Sequence, residues 1–177
     1  GGVLSHAPRM AQTAMMLIDA FEPEGFTTLG KDSIFMMPHL GVLSTVHEQA
    51  ATEVFVKDCL VPLGTCVAPM GVGKMGEPCF SYRLLFPDER VIADTIACGE
   101  IRLVPLPSGQ EVNIELTPAK GFDFGTGKGK KLMGKVKGGV VGLVLDARGR
   151  PITIATDEEL RVRQLQAWAT AGDLYPN

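Results

Sequence analysis

The chain has 177 residues and a formal net charge of −3, with 45% hydrophobic and 21% charged residues. That length suits one domain or two small ones, and the composition is that of an ordinary soluble protein rather than a disordered tail. Slight acidity gives no general attraction to nucleic acid or acidic membranes, and no apolar run approaches the roughly 18 residues of a membrane span, so neither is expected as a partner and a cytoplasmic location is expected.

The first residues, Gly1-Gly2-Val3-Leu4, lack an initiator Met and run directly into a helix signal. A Gly pair at a strand-to-helix junction lets backbone approach a ligand closely, with the free amides of the helix N-terminus beyond it. The start therefore reads as a cut, with half of any such site lying upstream of Gly1, although a scar of an expression tag is a plainer source of two glycines. Ser5-His6-Ala7-Pro8 reads as a helix start, followed by Met10, Ala14, Leu17 and Ile18 at helical spacing, and the helix ends near Phe21. A short strand is predicted at Thr27 to Leu29. Ile34 to Leu43 holds Pro38 and Gly41 and is ambiguous, and a second helix is predicted from Glu48 to Lys57, with Ala50, Ala51, Val54 and Phe55 on one face.

After Asp58 the texture changes to short β-rich runs punctuated by Gly, Pro and Asp, the pattern of an antiparallel barrel or sandwich. The runs are Gly64 to Pro69, Cys79 to Phe86, Arg90 to Cys98, Glu100 to Pro105, Glu111 to Leu116, Lys131 to Val136, Val140 to Leu145 and Ile152 to Ile154. Alternation of Val112, Ile114 and Leu116 with Asn113 and Glu115 predicts one buried and one wet face. Thr156-Asp157-Glu158-Glu159 is a capping box that opens a last helix, with Leu160, Leu165, Trp168 and Ala169 on one stripe and Gly172 as its stop. The expected class is α+β, with an α/β part over 1–58 and a β-barrel or sandwich with a C-terminal helix over 59–177.

No CxxC pair occurs, so a zinc site is not expected, and Cys66, Cys79 and Cys98 in apolar runs read as buried free thiols of a cytosolic protein. Gly71-Val72-Gly73-Lys74-Met75-Gly76 matches GxGxxG, but Glu77-Pro78 and a strand follow where a dinucleotide fold needs a helix, so a glycine-rich turn is the better reading. The Gly121 to Lys131 loop lacks the GxxxxGK[ST] order. It is either a flexible loop whose amides, with Lys128, Lys130 and Lys131, hold an anion or an acidic partner, or a solvated connection kept soluble by its lysines. His6, His39 and His47 have no triad partners at a recognisable spacing, and Glu111 and Glu115 are given no acid–base role. Lys137 to Pro151 reads as a buried strand ending in the tight turn Asp146-Ala147-Arg148-Gly149-Arg150-Pro151. Arg148 and Arg150 there either pair with Asp146 or present an anion-binding edge, and a structural turn is the plainer of the two.

That stretch, with Gly1-Gly2-Val3-Leu4, Pro38-His39-Leu40-Gly41 and Leu63-Gly64-Thr65-Cys66-Val67-Ala68-Pro69, resembles the C-terminal portion of the glutamate mutase L family. These are accessory proteins of adenosylcobalamin-dependent mutases, unrelated to the mismatch-repair protein of similar name. The order of the motifs is similar along nearly the whole chain. The resemblance implies an actin-like ATPase fold for the intact protein, with a Gly-Gly turn against the adenosine, so Gly1 and Gly2 would be a nucleotide-site remnant. The phosphate loops and catalytic acids would lie upstream, ATP would be a cofactor of the full-length protein only, and this fragment would carry no catalytic residues, cofactor or metal. It further implies a cobalamin-dependent mutase subunit as partner, with ATP-driven reactivation or assembly as the task. A small-molecule-binding β-barrel sensor or a protein-interaction module is the alternative. An independent enzyme ranks last for want of a convergent acid, base, nucleophile or metal set.

Overall fold

The computed structural model describes residues 6–175. Helix α1 (Met10–Phe21) leads into strand β1 (Gly25–Asp32) and helix α2 (Met37–Val54), which ends in a π-helical turn (Phe55–Cys59). There follow β2 (Leu60–Ala68), β3 (Pro78–Leu85), β4 (Val91–Ala97), β5 (Ile101–Val104), β6 (Glu111–Pro118), β7 (Leu132–Lys137), β8 (Gly142–Asp146) and helix α3 (Glu158–Ala171). The class is the mixed α+β one read from the sequence.

The strands form two open four-stranded sheets, so of the two architectures expected the sandwich is found and the closed barrel is not. One sheet has the order β1-β2-β8-β5 and the other β4-β3-β6-β7. Pairing is antiparallel except between β2 and β8, which run parallel. The chain changes sheets between β4 and β5, at a turn where Gly99 takes φ +89°. Arg102 on β5 still reaches back to Asp94 on β4 at 2.6 Å.

Side-chain alternation builds two cores on the first sheet. Val67, Leu143 and Leu145 face the second sheet and meet Phe80, Leu84, Ile96, Ile114 and Leu116. Cys66, Ala68 and Val144 point the other way, toward Ala14, Met15 and Ile18 of α1 and Trp168 of α3. β2 and β8 are thus covered on both faces, which explains their continuous apolar runs, whereas β6 keeps the predicted alternation because one of its faces is wet. β1, from the segment before residue 58, pairs with β2 from Gly25↔Ala68 to Asp32↔Leu60, and Leu29 shares the second core with Leu63. Thr65 joins the sheets: its hydroxyl donates to the Lys137 carbonyl at 2.8 Å and accepts from the Lys137 amide at 3.1 Å.

Four local expectations are corrected. Helix α1 starts at Met10, with the Arg9 amide donating to Gln12 Oε1. The ambiguous Ile34 to Leu43 stretch is helical from Met37, because Pro38 falls in the first turn, where no amide is needed. The Asp32 carboxylate accepts from the amides of Ile34 and Met37 at 3.2 and 2.8 Å. A break at His47 (φ −152°, ψ 74°) separates that part of α2 from the predicted second helix. Ile152 to Ile154 forms no strand, since Pro151 has no amide and the Ile152 amide goes to the Glu22 carboxylate instead. On α3 Leu160 and Leu165 are exposed, and the helix is seated through Gln164 and the buried Trp168.

Gly64 sits where β2 meets β8, at φ +137°, and a Cβ built there would overlap the backbone carbonyl of Gly142. Since the obstacle is backbone and the φ disfavours any L side chain, Gly64→Ala is expected to cost about 2–3 kcal/mol. Urea unfolding checks this, and a loss below about 0.5 kcal/mol would show that the β2–β8 seam can open without penalty.

Candidate functional site

Two clusters hold the polar side chains singled out above, one sealed and one open. The sealed one is at the end of β8. Asp146 is fully buried and receives Arg148 as a fork, Nε to Oδ1 at 3.0 Å and Nη2 to Oδ2 at 2.9 Å. The Arg148 amide also donates to Oδ1 at 3.0 Å, the Asp-turn that the sequence suggested. Arg150 Nη2 donates to Asp146 Oδ2 at 3.0 Å, and its Nε reaches the Pro23 carbonyl, also at 3.0 Å. Arg148 Nη1 extends to Asp19 on α1 at 2.8 Å, and its guanidinium lies 5.0 Å from the centre of the Trp168 ring. Of the two arrangements open to Arg148 and Arg150, the fold therefore adopts pairing with Asp146. Neither presents an anion-binding edge, because both guanidinium groups are buried and engaged.

Two carboxylates and two guanidinium groups balance in charge there. Burial alone would raise the Asp146 pKa, but the hydrogen bonds and charges of Arg148 and the charge of Arg150 outweigh it and hold the carboxyl below its ordinary value. Such a network clamps α1, the first sheet and α3 together. Asp146 and both guanidinium groups are sealed from solvent, and Asp19 is the member of the network that reaches the surface.

The open cluster is the 121–131 loop. Asp123 lies between buried Phe122 and Phe124, which anchor the loop in the core between the sheets. Its Oδ1 accepts from the amides of Gly125, Thr126 and Gly127 at 2.7, 3.0 and 2.8 Å. These bonds, that of Gly127 foremost, keep the carboxyl below the usual range. The loop's own carboxylate occupies the amide nest that would otherwise cradle an anion. These three amides are thus already taken, a point hidden in the sequence for want of weight on Asp123, although Asp ahead of Gly-x-Gly is an Asx-turn signal. The lysine half of the expectation keeps its geometry. Lys128, Lys130 and Lys131 are exposed, Lys120 is exposed beside Gly129, and none of the four joins an ion pair among the described residues.

Gly1 and Gly2 lie outside the described residues. The 71–76 glycine run opens on a bridge of Gly71 with Arg150, next to one of Met70 with Asp123, and is followed directly by β3 rather than by a helix. All four cysteines are buried free thiols, and burial pushes Cys66 up to about 12 and raises Cys79 and Cys98, which contact one another. Thiols so held are poor nucleophiles. Glu111 and Glu115 pair with Lys135 and Arg83 on the sheet surface. No group of three metal-ligating side chains occurs among the described residues, and no helix there is long and apolar enough to cross a membrane. A groove of about 560 Å³ runs along α1 between Pro8 and Leu174, floored by Met15 and Met16, with Asp19 as a polar lining residue.

Fold and site together define a mixed α+β scaffold with a buried polar network at the end of β8 and a cluster of exposed lysines on the 121–131 loop. Residues 1–59 match the family model described as MutL protein, the glutamate mutase L family to which the sequence bears resemblance. The match ends at Cys59, the last residue of the π-turn, and residues 60–177 lie beyond it. No curated protein and no solved structure is similar enough to match the chain.

Proposed function

We propose that this chain is a partner-docking part of an accessory protein for a cobalamin-dependent mutase, and that ATP, bound by the whole protein, drives reactivation or assembly of that mutase. The family match over residues 1–59 supports a glutamate mutase accessory role. The observation that carries the docking role is the lysine loop: Asp123 and two buried phenylalanines preorganise it, yet its exposed cations join no ion pair among the described residues. Preorganised exposed charge raises the rate of encounter with an acidic surface more than it raises fold stability. In the whole protein, Gly1 and Gly2 belong to the nucleotide site, and ATP acts by favouring one of two states that differ in affinity for the mutase.

Replacement of Lys128, Lys130 and Lys131 by Gln is expected to slow association of the full-length protein with its mutase about tenfold at low salt and to flatten the salt dependence of the rate. Stability should move by no more than about 0.5 kcal/mol. Stopped-flow or surface-bound association kinetics between 20 and about 300 mM salt make the test. A triple variant that associates at the wild-type rate in low salt reduces the loop to a solvated connection.

A further inference from the structure

Between Ser33 and Val46 the chain carries no Asp, Glu, Lys or Arg, yet most of its large side chains face solvent. The small core under α2 draws Leu40, Ala51, Cys59, Met36 and Phe55 from within residues 36–59, so the helix folds back on its own π-turn. Leu40 faces inward, and at 100° per residue His39, Val42, Leu43 and Val46 form a stripe beside it, at i, i+3, i+4 and i+7, with Leu43 nearest the buried side. Val42 and Val46 are 73% and 82% exposed, and Ile34 and Phe35 lie in the turn that leads into the helix.

We infer that this stripe is a self-association surface, and that its occupant is the same stripe on a second copy of the chain, related by a two-fold axis. Two observations select a second copy. A patch that is to face itself must not repel itself, and this one carries no Asp, Glu, Lys or Arg, whereas a surface steered by charge exists elsewhere, on the lysine loop. Interfaces between identical subunits are the most apolar class, and a monomer rarely leaves so much contiguous apolar surface open. The area also fits. The exposed parts of Ile34, Phe35, Val42, Leu43 and Val46 give on the order of 500 Å² per copy, so full coverage buries about 1,000 Å² for the pair, the size of a weak, transient interface. An antiparallel crossing sets Val42 of one copy against Val46 of the other. The pairing is accordingly weak and concentration-dependent, and it stands independently of the mutase reading.

Sedimentation velocity of the whole chain over about 1–200 μM, the range in which an interface of this size dissociates, tests the inference. The weight-average mass should climb from the monomer's 18.9 kDa toward twice that value. The double substitution Val42→Glu, Val46→Glu sets like charges against each other and should weaken dimerisation about 100-fold. Circular dichroism and Tm should stay at wild-type values, because both side chains already face water. Mixing that variant with the Val42→Lys, Val46→Lys variant should restore a dimer that neither forms alone. A wild-type chain that stays monomeric throughout overturns the inference, as does a dimer that the Glu variant leaves intact. Capture of a different protein on the stripe of a monomeric chain overturns it too, since the occupant is then not a second copy.

Discussion

Asp146→Ala is expected to lower the unfolding free energy by about 3–5 kcal/mol, more than any change at an exposed carboxylate of this protein. The carboxylate is fully buried and is the shared acceptor of Arg148 and Arg150, both nearly sealed from solvent. Its removal leaves two guanidinium groups in the interior with Asp19, two backbone carbonyls and the Trp168 ring but no buried carboxylate beside them. Asp146→Asn keeps the shape and one acceptor oxygen but loses the charge, and should fall between wild type and Ala. Because the native Asp146 pKa lies below its unfolded value, this stabilisation is fully present above the unfolded pKa, near 4, and is lost as pH falls through the native value. Urea titrations of wild type and Asp146→Asn at pH 7 and again in acid should therefore converge as the pH drops below about 4. A loss under about 1 kcal/mol in Asp146→Ala would mean that water reaches the two arginines once the carboxylate is gone.

The second large effect is expected at Trp168, where replacement by Ala should cost about 3–5 kcal/mol. The ring is 7% exposed and is the sole apolar anchor of α3, since Leu160, Val162 and Leu165 face solvent. Its Nε1 donates to the Gly99 carbonyl at 2.7 Å, at the turn that carries the chain from one sheet to the other, and Arg148 lies over its face. Trp168→Phe removes the hydrogen bond and leaves that buried carbonyl unpaired, with an expected loss of about 1–3 kcal/mol. Trp168 is the only tryptophan, so fluorescence reports the site directly, with blue-shifted emission that reddens on unfolding. Because Trp168 and Asp146 share Arg148, the double mutant should be less destabilised than the sum of the single changes. A Trp168→Ala chain that unfolds within about 1 kcal/mol of wild type would show α3 to be loosely docked.

The amino-acid pattern alone was enough for the α+β class, for α1 with Ile18 on its inner face, for all strands after Asp58 with ends within a few residues, and for a capped start of α3 near 156–159, although the cap is the Asp157 carboxylate, accepting from the Leu160 amide, rather than the Thr156 capping box. These are local matters: period-2 or period-3.6 burial and turn chemistry act between near neighbours. The same locality explains what was legible of the candidate site. Asp146 with Arg148 is an i, i+2 turn contact, and the loop lysines are exposed and join no ion pair among the described residues.

What only the tertiary structure decided depends on partners far apart in the chain. Whether eight short strands close into a barrel or stack as two sheets turns on a change of sheet at Gly99 and on β2 lying parallel to β8, which no local signal encodes. The face of α3 was misread because Trp168 docks on a carbonyl 69 residues away and Gln164 on the backbone at Thr153 and Ala155, so hydrogen bonds at the seat outweigh the apolar pattern of Leu160 and Leu165. Arg148 and Arg150 could have faced water or the core with equal local propriety. Asp19 and the Pro23 carbonyl, brought beside them by the packing of α1 on the first sheet, supply the partners that make burial of two cations affordable, and so turn a surface-like sequence into the clamp of the fold.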